Sequence, residues 1–323
     1  MSNLFDRSSQ QEFTWQSKHI KFFLDLKGIG PSAVEKIIEI NPDIEQWDRE
    51  YVASQSANYA KTMNLLKDVE EIPELDNLDE NMVIHFKEAN FPENLANMIK
   101  DKPLLLWYKG NLNIGKSVAV VGSRNMIPET AKIVDDFVDK ACEENFNIVS
   151  GLAIGVDTQA HKAALKNNSK TVAILPSSLD NIVPYQNKEL AFQIVENGGL
   201  LLSEYPIGSS KKIESSNYIQ RNRLQAGISD AVFIAQSGIP GGTMTTAKHA
   251  IDNEKKLIVY LSKNMSKEYL GNKYLTDALD KNYEFSKMKF NKSQIEKLIL
   301  KKTLADEIIY SNKNEIDKIL RLI

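Results

Sequence analysis

Asn147-Ile148-Val149-Ser150-Gly151-Leu152-Ala153-Ile154-Gly155-Val156-Asp157-Thr158-Gln159-Ala160-His161 decides the fold. A short apolar run breaks into glycines and a hydroxyl, and the chain then resumes at helical spacing, which predicts a strand, a loop and a helix in that order. The same succession recurs along the chain. Val118-Ala119-Val120-Val121 precedes Gly122-Ser123-Arg124, and Ala231-Val232-Phe233-Ile234-Ala235 precedes Ser237-Gly238-Ile239-Pro240-Gly241-Gly242-Thr243. Thr171-Val172-Ala173-Ile174-Leu175, Leu200-Leu201-Leu202 and Leu257-Ile258-Val259-Tyr260 supply three further runs. Strands that are apolar throughout, alternating with helices, belong to a parallel sheet covered on both faces. The expected fold class is therefore α/β, a doubly wound and mostly parallel Rossmann-like sheet.

Outward from this core the texture changes. Residues 18–40 read as two short helices around Lys27-Gly28-Ile29-Gly30-Pro31, a helix-hairpin-helix pattern. Its turn would either offer backbone amides to a DNA phosphate or serve as a structural hairpin. Three segments are expected: an all-helical, SAM-like domain at 1–90, the Rossmann-like domain at 91–284, and a short helical appendage at 285–323. Phe91-Pro92-Glu93-Asn94-Leu95 through Leu104-Leu105-Leu106-Trp107-Tyr108-Lys109-Gly110 reads as a connecting segment.

Charge is distributed unevenly. Residues 43–90 hold twelve acids against four bases, whereas residues 286–323 hold nine bases against five acids. The net charge of −3 argues against indiscriminate coating of nucleic acid but leaves room for a local basic site. The acidic stretch reads as a solvated face or a regulatory surface. A single cysteine, Cys142, excludes a disulfide framework and a thiolate metal cluster. With no basic-then-apolar leader and no apolar run long enough to span a bilayer, the expected location is a reducing cytoplasm, away from membranes.

Ligands of such sheets bind beyond the carboxyl ends of the strands, so the loops there carry the candidate residues. Gly122, Ser123 and Arg124 combine close backbone approach, a hydroxyl and a planar donor fork suited to phosphate. Ser150, Gly151, Gly155 and Asp157 surround a helix N-terminus, where free amides can cradle an anion. Ser237, Gly238, Gly241, Gly242, Thr243, Thr245 and Lys248 form a third loop of similar chemistry. Glycine-rich turns also arise for backbone geometry alone, and Asp157 can simply cap its helix. Arg221, Asn222 and Arg223 open another candidate set; arginines two apart on a helix diverge, so one can face a ligand while the other pairs structurally. His161 reads as an orienting or packed histidine, and neither a metal site nor a cofactor is expected.

Taken in order, FPENL at 91–95, PLLLWYKGNL at 103–112, VAVVGSRNM at 118–126, IVSGLAIGVDTQAHKAAL at 148–165, TVAILPSSLDNIVPYQN at 171–187, LLLSEYPIG at 200–208, NYIQRNRLQAGISDAVFIAQSG at 217–238 and GGTMTTAKHA at 241–250 resemble the DNA-processing protein A family, DprA or Smf. The resemblance implies a Rossmann-like domain that binds single-stranded DNA, works as a homodimer and loads the RecA recombinase during transformation. It implies no enzymatic activity, and it places Gly122, Ser123, Arg124, Gly151, Gly155, Arg221 and Arg223 around a nucleotide pocket. Two loops depart from the family pattern: Pro176-Ser177-Ser178 replaces a glycine pair, and Ile239-Pro240-Gly241-Gly242-Thr243 lacks a basic residue.

A competing reading is a nucleotide-binding or nucleotide-hydrolysing relative of the phosphoribohydrolases. Pro240-Gly241-Gly242-Thr243-Met244-Thr245 resembles their PGGxGT loop, but Met244 replaces a glycine and Lys248 stands where their catalytic glutamate would be. A nucleotide sensor of the same superfamily, acting in phage defence, is a third. NAD chemistry lacks its GxGxxG, and Gly115-Lys116-Ser117 precedes a strand instead of following one, unlike a P-loop.

Overall fold

The computed structural model describes residues 14–69, 82–209, 212–262, 266–277, 290–297, 309–310, 315–321 and 323. The chain divides into two compact units, Met1–His85 and Phe86–Ile323. Much of the acidic stretch at 70–81 and of the tail therefore lies outside the described residues.

The described residues of the first unit form four α-helices and a short strand: α1 (Ser17–Asp25), α2 (Pro31–Ile40), α3 (Arg49–Ser54), α4 (Tyr59–Leu66) and β1 (Val83–His85). Apolar spacing makes α1 and α2 a hairpin that buries Ile20 and Phe23 on one side and Val34, Ile37 and Ile38 on the other. Trp15 and Trp47 pack against Phe23 at ring separations of 5.3 and 5.6 Å. Gly28 turns the chain at φ +96°, and Pro31 supplies the first residue of α2, where a missing N–H costs nothing. Asp48 and Asn58 cap α3 and α4 through the amides of Tyr51 and Lys61.

The second unit carries the remaining strands: β2 (Leu105–Gly110), β3 (Ser117–Gly122), β4 (Asn147–Ser150), β5 (Thr171–Ile174), β6 (Leu200–Ser203), β7 (Ala231–Gln236), β8 (Lys256–Tyr260) and β9 (Ile309–Tyr310). They lie in the order β2-β6-β5-β4-β3-β7-β8-β9. All pair in parallel except β2, which runs antiparallel to β6. The chain thus moves outward from β3 to β6, returns to β7 on the other side of β3, and creates a crevice between β3 and β7, the position at which open α/β sheets bind ligands.

The principal helices are α5 (Glu93–Ala96), α6 (Pro128–Glu143), α7 (Val156–Lys166), α8 (Lys188–Glu196), α9 (Ser215–Ile228), α10 (Thr243–Asp252) and α11 (Leu270–Asp277). Val118 and Val120 of β3, Ile148 of β4 and Ala231, Phe233 and Ala235 of β7 pack with α6 and α7 on one face of the sheet. Phe137 stacks on Phe233 at 3.9 Å between ring centres. Ile316, Ile319 and Leu320 join this core. The alternate residues, Ala119, Val121, Val232 and Ile234, are equally buried and face the opposite side, the side of α9 and α10.

Residues 105–110, expected as part of a connector, form strand β2 of the sheet. Leu105, Leu106 and Trp107 are buried there, and an apolar run after a proline satisfies its backbone by pairing with β6. Gly110 allows the contact: a Cβ would lie 2.1 Å from the carbonyl oxygen of Gly199. No helix among the described residues is long and apolar enough to cross a membrane.

Candidate nucleic-acid interface

A cavity of about 520 Å³ opens in the β3/β7 crevice. Gly122, Ser123 and Arg124 reach it from β3, Asp157 from α7, Arg221 and Asn222 from α9, and Ser237, Gly238, Gly241, Gly242 and Thr243 from the loop entering α10. Eleven of the residues selected from the sequence therefore converge on one cavity.

Arg124 is exposed at its front, and its guanidinium carbon lies 4.8 Å from the ring centre of Tyr218. Such stacking orients the cation while leaving its edge N–H groups for a ligand. Tyr218 was not singled out in the sequence, where an aromatic on a helix reads as core. A signal was present, because Tyr218, Arg221, Asn222 and Gln225 fall at helical spacing on a helix with no apolar stripe, and all four line the cavity.

The back wall is different, since its polar groups bind one another. Arg221 is buried, and its Nη1 donates to the carbonyl oxygens of Gly151 and, at 2.8 Å, Ile174. Its Nε donates to Oδ1 of Asn222 at 3.1 Å, and Nδ2 of Asn222 donates to the carbonyl oxygen of Gly242 at 3.2 Å. One helix thus ties together the loops after β4 and β5 and the start of α10. Gly151 makes room for the guanidinium, since a Cβ would lie 1.8 Å from Nη1 of Arg221.

Asp157 lines the cavity without capping α7. Its Oδ2 accepts from the backbone amides of Gly151 at 3.1 Å and Ala153 at 3.4 Å, so the chain's own carboxylate fills the anion cradle that the sequence suggested for a phosphate. Burial pushes this carboxyl above its ordinary range, and the neighbouring Arg221 guanidinium pulls it back. The amide of Val156, at the start of α7, is spent on the carbonyl oxygen of Ser123 at 3.2 Å.

The remaining selected residues do not line the cavity. Ser150 turns inward, its Oγ donating to the carbonyl oxygen of Val120 at 2.7 Å. Gly155, at φ +83°, permits close packing; a Cβ would meet the carbonyl oxygens of Ser123 and Arg124 at 2.4 and 2.6 Å. Arg223 leaves the opposite side of α9 and pairs with Glu204 at 2.5 Å. Thr245 faces away, and Lys248 holds its Nζ 5.4 Å from the ring centre of Phe290.

Asn272, buried in α11, positions the third loop. Its Oδ1 accepts from the amide of Ser237 at 2.6 Å, while its Nδ2 donates toward the carbonyl oxygens of Ile234, Ala235 and Tyr260. His161 packs behind the cavity, fully buried, with Nδ1 2.7 Å from Oγ1 of Thr171. Burial, assisted by the Arg221 charge, lowers its pKa to about 3.

That depression has a consequence for acid stability. The unfolded chain takes up a proton at His161 near its ordinary pKa, 6.5, and the folded chain does so only near 3, so the stabilisation is present above pH 6.5 and lost as pH falls through that window. Each unit of pH within it costs about 1.4 kcal/mol. His161→Gln is expected to flatten the decline of unfolding free energy between about pH 6 and pH 4 in urea titrations. Parallel curves for the two proteins would show that His161 does not titrate on unfolding.

A doubly wound sheet whose switch-point crevice presents an exposed arginine, an aromatic ring and glycine-hydroxyl loops is a Rossmann-type fold with a crevice chemically suited to phosphate-bearing ligands. The chain belongs to the DNA recombination-mediator protein A family, whose model matches residues 82–284. It is 40% identical over 164 residues to DNA processing protein DprA of Streptococcus pneumoniae, covering 50% of this chain and 56% of that one. It is 36% identical over 174 residues to Protein Smf of Borreliella burgdorferi, covering 53% and 54%. The chain thus spans about half the length of these curated relatives. The solved structure of DNA processing protein A from Streptococcus pneumoniae superposes with a TM-score of 0.69 at 28% identity, over 82% of this chain and 93% of that one. The structure describing the single-stranded DNA binding mode of DNA processing protein A from Helicobacter pylori gives 0.52 at 30% identity, over 59% and 86%.

Proposed function

We propose that this chain is a single-stranded-DNA-binding protein, without catalytic activity, that protects single strands and loads a RecA-type recombinase on them in DNA uptake and recombination, as a cytoplasmic homodimer. The observation that carries the reading is the pairing of Arg124 with Tyr218 at the open front of the cavity. A cation to meet a phosphate beside a ring to meet a base is what a nucleic-acid strand without a pairing partner requires. The Helicobacter relative, whose structure is described in terms of its single-stranded DNA binding mode, supports the same reading.

Hydrolysis finds no support. Asp157 is the one carboxylate among the cavity-lining residues, and it is buried and committed to two amides. The position at which the phosphoribohydrolases keep their glutamate holds Lys248, turned toward Phe290. A general acid or base must reach the proton that it transfers.

The experiment is fluorescence anisotropy of labelled oligo-dT against a duplex of equal length at two salt concentrations. Affinity is expected to favour the single strand and to fall steeply with salt as bound counterions are released. Equal affinity for duplex, or indifference to salt, would sink the reading. Arg124→Ala is expected to weaken oligo-dT binding by roughly tenfold or more while leaving the thermal midpoint unchanged, because the side chain is exposed and contributes no core contact. Loss of the thermal transition would reassign Arg124 to structure.

A further inference from the structure

Tyr185 is the most exposed large hydrophobic side chain among the described residues, at 79%. It begins a short 3-10 helix, Tyr185–Asn187, that leads into α8. An aromatic ring so fully in water gains nothing from folding. Its backbone is nevertheless held firmly. Asn187 is buried, and its Nδ2 donates at 2.7 Å both to the carbonyl oxygen of Leu152 and to Oγ1 of Thr158.

Leu152 belongs to the loop between β4 and α7, and the next residue, Ala153, lines the cavity. The anchor therefore fixes Tyr185 to the wall of the proposed DNA site. Ile154, 45% exposed, stands on the same loop. On the far side, Lys188 places its Nζ 6.0 Å from the ring centres of both Tyr185 and Phe192, and Phe192 is itself 45% exposed. The carboxyl edge of the sheet thus carries a second combination of ring and cation, tied by one buried asparagine to the loop that contributes Ala153 to the cavity.

We propose that Tyr185, with Lys188, is a second stacking platform for single-stranded DNA, receiving a base of the strand after it leaves the Arg124 and Tyr218 pocket. This rests on the single-stranded-DNA reading of that pocket. Stacking tolerates any base, because every base presents a π-face, and Lys188 meets the adjoining phosphate. Protein surfaces also take up exposed aromatics, but the lysine at the rings and the continuity with the cavity favour a strand with alternating bases and phosphates.

The test uses the full chain and labelled oligo-dT of about 4 and about 16 nucleotides, which bracket the site sizes of single-strand binders. Tyr185→Ala is expected to weaken the longer oligonucleotide roughly tenfold and to leave the shorter one within about twofold. Tyr185→Phe, which keeps the ring, is expected to restore wild-type affinity. Lys188→Ala is expected to lower the salt dependence by about one phosphate contact, and Tyr185→Ala to leave it unchanged. If Tyr185→Ala binds both lengths as tightly as the wild type, the platform is refuted while the pocket stands. Equal losses at both lengths would also refute it, by placing Tyr185 in the support of the pocket. A wild-type protein that binds neither length would remove the DNA reading and the platform together.

Discussion

Arg221→Met is expected to cost about 3–5 kcal/mol of folding free energy, the usual consequence of stranding one member of a buried charge pair. The guanidinium is buried and donates to carbonyl oxygens at the ends of two different strands. Its removal leaves the Asp157 carboxylate without the counter-charge that offsets burial, and leaves the Gly151 and Ile174 carbonyls without this donor. In a unit of this size the loss lowers the thermal midpoint on the order of 10 °C. Urea unfolding of Arg221→Met, Asp157→Asn and the double variant separates the pair from its surroundings. Neutralising Asp157 is expected to cost less once Arg221 is gone, and additivity within about 0.5 kcal/mol would show that the two groups are not coupled. Arg124→Ala makes the contrast: the same residue type, exposed and stacked on Tyr218, is expected to change binding alone.

Asn272 carries the second large effect. Its carboxamide serves the Ser237 amide and several main-chain carbonyls from inside the protein. Leaving a buried polar group without its partner costs about 1–3 kcal/mol, so Asn272→Ala is expected to destabilise by roughly 2–5 kcal/mol. Asn272→Asp tests the orientation of that amide. At neutral pH a carboxylate would face carbonyl oxygens from the position of Nδ2, so Asp is expected to be worse than Ala. The difference is expected to shrink as the pH is lowered and the carboxyl takes up a proton. An aspartate variant as stable as the wild type at neutral pH would show that the donor side of Asn272 contributes nothing.

The sheet was legible because strands covered on both faces leave no alternation to decipher: Val118–Val121, Ala231–Ala235 and their neighbours are apolar end to end, and each ends where glycines and hydroxyls begin. The strand at 105–110 was not, because a strand that pairs with a distant β6 has no local sign of its partner. Within the site, Arg124 announced its chemistry through its residue type and place. Arg221 and Arg223 did so only as alternatives, and both are committed within the protein, Arg221 to main-chain carbonyls and Arg223 to Glu204. The role of Asp157 could not be read, because a carboxylate folding back on amides four and six residues earlier looks in sequence like an acid at a helix start. Gly151 and Gly155 were selected for ligand approach, yet both serve the approach of protein to protein.

The self-filled cradle behind the pocket also bears on competition. A free nucleotide owes much of its grip on Rossmann proteins to a terminal phosphate seated on helix amides. Here the loop amides of Gly151 and Ala153, which precede α7, already hold the Asp157 side chain and are not free to seat a terminal phosphate. On the proposed reading, a phosphodiester within a strand carries a single charge and would meet the exposed Arg124 instead. Under the proposed function, the cavity thus sets a strand's phosphate apart from a nucleotide's by keeping its deeper amides for a carboxylate of its own.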